Sequence, residues 1–287
     1  MENINWYPGH MKKTRELIAE NLKLVDAVIE VCDARIPVSS RNPILGELVR
    51  SKLRVVALNK RDLADAEATK AWISELRRGG EKAVSLNSRD GEGLNALFDA
   101  LPVKRPLRVM IVGVPNSGKS SLINRLTGRK GAQTGNRPGV TKGKQWLTIE
   151  GGLRLLDTPG ILWPKFEDPT VGLNLAFCGS IRDEILDSAE LGLKLIELLS
   201  VGYGDMLNER YGLGEDKRIV PSVSSGIGEA GQKEPSPLSS ALLTMEAIAK
   251  KRGYILPGRR IDYGRTGRVL LDEFRSGKIG RITLERP

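Results

Sequence analysis

Gly113-Val114-Pro115-Asn116-Ser117-Gly118-Lys119-Ser120 fits the pattern G-x-x-x-x-G-K-[ST], a loop whose chemistry is to cradle phosphates. Its glycines let backbone N–H groups turn inward around β- and γ-phosphates, while a helix beginning near Lys119 points its positive end at them. Val114, Pro115, Asn116, Ser117, Gly118, Lys119, Ser120 and the following Ser121 are therefore expected nucleotide contacts. Lys119 is expected to reach the β/γ oxygens and serve catalysis there, and Ser120 to ligate Mg2+. Such a loop needs a strand before it and a helix after it. Leu107–Val112 and Lys119–Leu126 supply both.

Upstream, Asn59-Lys60-Arg61-Asp62 reads N-K-x-D and ends the apolar run Arg54–Leu58. A carboxylate at Asp62 can accept from both N1–H and the exocyclic amine of guanine, whereas adenine offers no such donor pair. An acceptor left unpaired discriminates by orders of magnitude. Asn59 and Lys60 complete that base-reading loop. Asn87-Ser88-Arg89, after the next short strand, aligns with an S-A-K element that supports the guanine oxygen through a backbone amide, departing from it at the first two positions.

Downstream, Asp157-Thr158-Pro159-Gly160 follows the strand Leu153–Leu156 as a D-x-x-G motif. Asp157 is expected to hold Mg2+, directly or through water, and the Gly160 amide to sense the γ-phosphate during catalysis. Between the loops, Gln133–Lys142 is rich in Gly, Pro and Asn and reads as a switch segment. Thr141 is its best candidate to close on Mg2+ and the γ-phosphate, with Thr134 the runner-up.

The order of these motifs is the informative part. N-K-x-D precedes the phosphate loop, although in ordinary GTPases it follows, so the chain reads as a circularly permuted P-loop GTPase. Ala27–Cys32, Arg54–Leu58, Lys82–Leu86 and Leu107–Val112 read as strands alternating with helices near Ala66–Arg78 and Gly93–Ala100. Gln145–Ile149 and Leu153–Leu156 form a hairpin-like pair. The expected fold class is α/β, a doubly wound, mostly parallel sheet with an antiparallel pair at one edge. Beyond Trp163 strand signals stop. Helices are expected at Ser188–Leu199, Leu238–Lys251 and Gly267–Arg275, with Ser222–Pro237 a loop. The predicted domains are a GTPase domain over 1–165 and a smaller all-helical domain over 166–287.

The 287 residues carry a net charge of +10, unevenly placed. Residues 1–165 hold 28 Lys/Arg against 17 Asp/Glu, residues 166–237 hold 6 against 13, and residues 238–287 hold 11 against 5. A basic–acidic–basic pattern suits a polyanion such as RNA; a basic surface without a specific partner gives the same composition. No apolar run approaches the length that spans a bilayer, and the start lacks a secretory or transit pattern. No membrane partner is expected, and a cytoplasmic monomer is the default. Cys32 and Cys178 fit no metal spacing.

Across nearly its full length the chain resembles the circularly permuted GTPases of ribosome assembly, in particular the ribosome biogenesis GTPase A family of the large subunit. Trp6-Tyr7-Pro8-Gly9-His10-Met11, Asp33-Ala34-Arg35-Ile36-Pro37, the permuted motif order and Asp272–Arg281 carry the resemblance. It implies GTP/GDP binding, GTP hydrolysis, association with the large ribosomal subunit or its precursor (rRNA and ribosomal proteins) and a helical RNA-contacting C-terminal domain. Docking in the GTP state and release after hydrolysis are the expected cycle. With Ile161 and Leu162 in place of a water-orienting glutamine, turnover is expected to be slow alone and stimulated by the particle.

Ile161 and Leu162 follow Gly160, where Ras-like enzymes place a glutamine that orients the attacking water. The resemblance points to His10, the one histidine in the chain, as the group that orients or polarises the water. Packing against Trp6 and Tyr7, or an RNA contact, is the alternative. Asn116 is by the same resemblance a candidate K+ ligand beside the phosphates; ordinary loop packing is the alternative. Lys250, Lys251, Arg252, Arg259, Arg260, Arg265 and Arg268, interleaved with Tyr254 and Tyr263, are the candidate RNA contacts; a solvated helix face is the alternative. Two rival functions stay open: a GTP-gated RNA- or protein-binding module with little turnover, and a GTPase with a non-ribosomal partner.

Overall fold

Ala27–Asp33 (β1) is buried at every one of its seven positions, a run that only a strand covered on both faces can use. The computed structural model describes residues 16, 18–49, 52–102, 106–128, 145–149, 152–157, 168–214 and 237–287. Its other main strands are β2 (Leu53–Asn59), β3 (Lys82–Ser85), β4 (Leu107–Val112), β5 (Gln145–Ile149) and β6 (Leu153–Asp157). They form one six-stranded sheet in the order β3-β2-β1-β4-β6-β5. All neighbours are parallel except β5 and β6. The expected doubly wound sheet with an antiparallel edge is what forms.

Alternation along β1 feeds two cores, because successive strand side chains face opposite ways. Ala27, Ile29 and Val31 pack with Val55, Val109, Ile111 and Leu155 on one face. On the other face Val28 packs with Met110 and Leu156, and Cys32 with Val56, Leu58 and Trp72. Both cysteines are buried and unbridged.

The helices beside the sheet are α1 (Pro43–Leu48), α2 (Ala66–Arg78), α3 (Leu94–Ala100), α4 (Lys119–Thr127) and α5 (Pro169–Phe177). Asp65 caps α2 by accepting from the Ala68 amide. Asp168 caps α5, whose first position is Pro169, a residue preorganised for that place.

The remaining elements are a 3-10 turn at Asp183–Ile185, α6 (Ser188–Gly202), α7 (Gly204–Tyr211), α8 (Pro237–Arg252), β7 (Ile255–Leu256), β8 (Arg260–Ile261) and α9 (Tyr263–Arg275). To the expected helices they add α7 and a two-residue antiparallel ladder of β7 with β8. Helices α6 and α9 cross backbone to backbone: a Cβ on Gly192 would stand 2.6 Å from the Gly267 Cα, and one on Gly267 would strike the Ser188 carbonyl oxygen.

The chain divides into two compact units, one of residues up to Ile181 together with Glu285–Pro287, the other Arg182–Leu284. The boundary expected at residue 165 and most of the loop expected at Ser222–Pro237 lie outside the described residues. Among the described residues no helix is long and apolar enough to cross a membrane.

Candidate functional site

Each motif loop leaves the carboxyl end of a parallel strand, the edge where open α/β sheets bind ligands. Residues 113–118 follow β4, Asp33 ends β1, Asn59-Lys60 follows from β2, and Asn87-Ser88 lies just past β3. The register pairs Asp33 with Asn59 and Ile111 with Asp157. One edge therefore gathers residues that the chain order scatters from 33 to 157.

Asn59 is fully buried and joins three of these loops. Its Nδ2 donates to the Ser117 carbonyl oxygen at 2.8 Å. Its Oδ1 accepts from the Ser88 amide at 3.0 Å, and its own carbonyl accepts from the Ala34 amide at 2.8 Å. Gly118 lies against it with φ +95°, and a Cβ there would strike the Asn59 Nδ2. The glycine is required twice, for the left-handed backbone and for the close approach.

Two of the three described non-glycine residues with positive φ stand in these loops, Lys60 at +60° and Asn116 at +59°. Such conformations cost about 1–3 kcal/mol each and persist where the surroundings over-determine them. For Lys60 the surroundings are explicit. Its Nζ meets the Asp33 carboxylate at 2.8 Å, and Asp33 also pairs with the buried Arg35 guanidinium at 2.8 Å. Burial alone would raise the Asp33 carboxyl, but the two cations outweigh it and hold it well below the usual range. Burial likewise works against Arg35, and the Asp33 charge overrides it to raise the guanidinium.

Asp62, the expected base reader, has one carboxylate oxygen buried with no hydrogen-bond partner among the described residues, and the Ser117 hydroxyl is in the same position. Orphaned buried acceptors are expensive. A guanine base offering paired N–H groups is the chemistry that would relieve Asp62. Lys119 is buried, and its Nζ donates to the Val114 carbonyl at 2.9 Å across the loop it is expected to serve. Gly118, in the left-handed conformation, leads into α4, whose first turn holds Lys119, Ser120 and Ser121. Asn116 is exposed, and its Nδ2 donates to the Gly179 carbonyl just beyond α5. Pro115 is half-buried and Val114 buried.

Asn87, Ser88 and Arg89 form a closed turn. The Asn87 amide group donates to Asp90 at 2.6 Å, and the Arg89 N–H donates to Asn87 Oδ1 at 3.0 Å. The Ser88 N–H, the amide expected to face a guanine oxygen, is engaged by Asn59. A bound base would share or take that donor.

His10, Thr141 and Gly160 lie outside the described residues, as does Thr134; of Asp157 the backbone ends β6. Among the described residues no group of three or more His, Cys, Asp and Glu could hold a metal. Of the residues expected to ligate Mg2+, Ser120 is the one whose side chain is described.

All seven expected RNA contacts are exposed. Several also serve their own unit. Lys250 pairs with Glu246 at 3.5 Å, and Arg252 approaches Glu273 at 3.9 Å and lies over Tyr211. Arg265 stacks on Tyr254 at 4.7 Å from the ring centre.

Residues that the motifs do not name also build the site. Asp33 braces Lys60, and Asn174, in α5, donates to the Ser39 hydroxyl and to Glu285. Neither stands in a nucleotide motif, so only the folded chain shows what they hold.

Comparisons with known proteins agree with this geometry. A family model described as "50S ribosome-binding GTPase" matches residues 108–203. The ribosome biogenesis GTPase A of Bacillus cereus is 42% identical, over 99% of this chain and 94% of its own. Among solved structures, GNP-bound YlqF from T. maritima matches at a TM-score of 0.66 and 29% identity, covering 96% of this chain and 98% of its own. A GDP-bound YlqF structure also scores 0.66, at 28% identity over 94% and 99%. Close similarity along almost the entire length, with the permuted order of strands and loops kept, places the chain in the ribosome biogenesis GTPase A family.

Proposed function

We propose that this chain binds and hydrolyses GTP and acts as an assembly factor on ribosomal particles, the reading that its family and its site share. The observation that carries the nucleotide assignment is the buried oxygen of Asp62 that has no partner among the described residues, set in a loop that Asn59 ties to the phosphate loop. An acceptor in that position selects guanine, and the cradle at 113–121 takes its phosphates.

Lys119 would exchange the Val114 carbonyl for β/γ-phosphate oxygens. Mg2+, held by Ser120 with Asp157 and Thr141, would offset charge on the phosphates. The Gly160 amide would sense the γ-phosphate. A K+ ion at Asn116 would use its Oδ1, because Nδ2 donates to Gly179. With no glutamine after Gly160, His10 orients the attacking water in this reading. The particle supplies the remaining order, so turnover is slow alone.

The target is the large subunit or its late precursor, met in the cytoplasm by a monomer docking in the GTP state and leaving on hydrolysis. The helical domain contacts rRNA through Lys250–Arg252, Arg259, Arg260, Arg265 and Arg268, since clustered exposed cations bind phosphates by releasing counterions. The test is single-turnover GTP hydrolysis with and without purified large-subunit particles, for wild type and His10→Ala. Stimulation of the wild type that is lost in the variant, with nucleotide affinity kept, is expected. Equal rates with and without particles would remove the ribosomal reading, and equal stimulated rates in the two proteins would remove the role of His10.

A further inference from the structure

Glu285 ends the chain's long return from the helical elements and belongs to the first compact unit. Its carboxylate collects four donors. Oε2 accepts from the Val38 amide at 2.6 Å; Oε1 accepts from the Ser39 amide at 2.9 Å, from the Ser39 hydroxyl and from Asn174 Nδ2 at 3.1 Å. Its backbone carbonyl accepts from the Trp72 indole N–H at 3.0 Å, and Arg286 beside it approaches Asp65 at 3.6 Å. A charged acceptor that fills both oxygens with backbone and side-chain donors is a strong clasp.

What the clasp grips lies on both sides of the base-reading loop. On one side, Ser39 precedes Ser40, whose hydroxyl accepts from the Asp33 amide at 3.0 Å and donates to the Ile36 carbonyl at 2.6 Å. Asp33 in turn braces Lys60. On the other side, Trp72 and Asp65 are respectively within and at the cap of α2, the helix that begins four residues after Asp62. Glu285–Arg286 thus anchors the segment that supports the loop's start and the helix that fixes its end.

We propose that Glu285 is a positioning residue for the guanine-reading loop, holding Asn59–Asp62 in register with the phosphate loop through the Ser39–Ser40–Asp33–Lys60 chain and through α2. The inference rests on the assignment of Asp62 as the base reader. It makes the tail, some 225 residues away in sequence from the loop, part of what sets nucleotide selectivity.

The test uses the full chain and competition of GDP, inosine diphosphate and ADP against a fluorescent guanine nucleotide. Inosine lacks the exocyclic amine that Asp62 reads, so the GDP-to-inosine affinity ratio reports where the carboxylate stands. Loss of folded protein lowers both affinities alike and leaves that ratio unmoved. Glu285→Gln turns one acceptor oxygen into a donor facing donors. It is expected to weaken GDP about tenfold, the scale of a lost charge-assisted hydrogen bond, and to cut the ratio at least about threefold.

Trp72→Phe removes the indole N–H together with part of a ring that packs with Cys32, Val56 and Leu58, and the affinity ratio separates the two effects because lost packing lowers both affinities alike. It is expected to move both readings the same way by less, and it decides the matter should Glu285→Gln fail to fold. Variants with wild-type affinity and ratio, or with equal losses for both nucleotides, overturn the positioning role alone. A wild type that takes GDP and ADP equally overturns the base-reading assignment, and the clasp's role falls with it.

Discussion

The Asn59 side-chain amide donates to the Ser117 carbonyl oxygen at 2.8 Å across 58 residues of sequence. Its other end receives the Ser88 amide, so a single buried side chain sets the spacing between phosphate cradle and base pocket. Permuting the chain leaves this joint unaltered, because β1, β2 and β4 lie side by side whichever is made first.

Replacing Asn59 by alanine strands the Ser117 carbonyl and the Ser88 amide in a buried place. An unsatisfied buried group costs about 1–3 kcal/mol, so Asn59→Ala should lose roughly 3 kcal/mol in urea unfolding. Its affinity for GTP should fall about a hundredfold. Both losses are expected together, the first by denaturation and the second by nucleotide titration.

Arg35 is completely enclosed around the Asp33 carboxylate. Arg35→Ala leaves that carboxylate with the Lys60 ammonium and the backbone amide of residue 35, and breaking a buried pair by removing one partner costs about 3–5 kcal/mol. The depressed Asp33 carboxyl contributes stability above the unfolded value near 3.8 that is lost as pH falls. Arg35→Ala should therefore flatten the acid limb of the stability curve as well as lower the plateau, measurable as unfolding midpoints from pH 7 downward.

Glu30 behaves in the opposite sense. Burial pushes its carboxyl up to about 6 from 4.5, against the pull of Arg41 and the Asn42 amide. The unfolded carboxyl gives up its proton first, so the folded state holds more protons between these values and raising the pH withdraws stability. The effect is about 2 kcal/mol, complete above pH about 6. Relative to Glu30→Gln, the wild type should lose most of that amount between pH 4.5 and pH 6, and the rest on either side, in denaturant unfolding.

Gly267→Ala places a methyl group against the Ser188 carbonyl where α9 crosses α6. The backbones must part, at a cost of about 1–3 kcal/mol for overpacking. Amide exchange should accelerate in α6 and α9 and stay at wild-type rates in β1 and β4.

Local chemistry made much of this legible in advance. The mostly β-branched run at 27–32, interrupted by Glu30, announced a strand buried on both faces, and G-x-x-x-x-G-K-S required β4 and α4 around it. Helix α5 escaped notice although Asp168-Pro169 marks its start, because its apolar residues Val171, Leu173, Leu175 and Phe177 make no 3.6-residue stripe. Glu285 gave no signal at all. Its donors stand at 38, 39 and 174, and only tertiary folding makes them neighbours. The orphaned Asp62 oxygen could not be read from N-K-x-D either, since burial without a partner is a property of the folded loop.

The central claim is that Asp62 reads guanine beside the phosphate cradle, and an equilibrium titration of wild type and Asp62→Asn with GTP, ATP and xanthosine triphosphate tests it most directly. The wild type should prefer GTP over ATP by at least about a hundredfold. Asp62→Asn should lose GTP and gain xanthosine triphosphate, whose C2 carbonyl accepts from the new amide. Equal affinity of the wild type for GTP and ATP, or an unchanged preference in Asp62→Asn, would contradict the account.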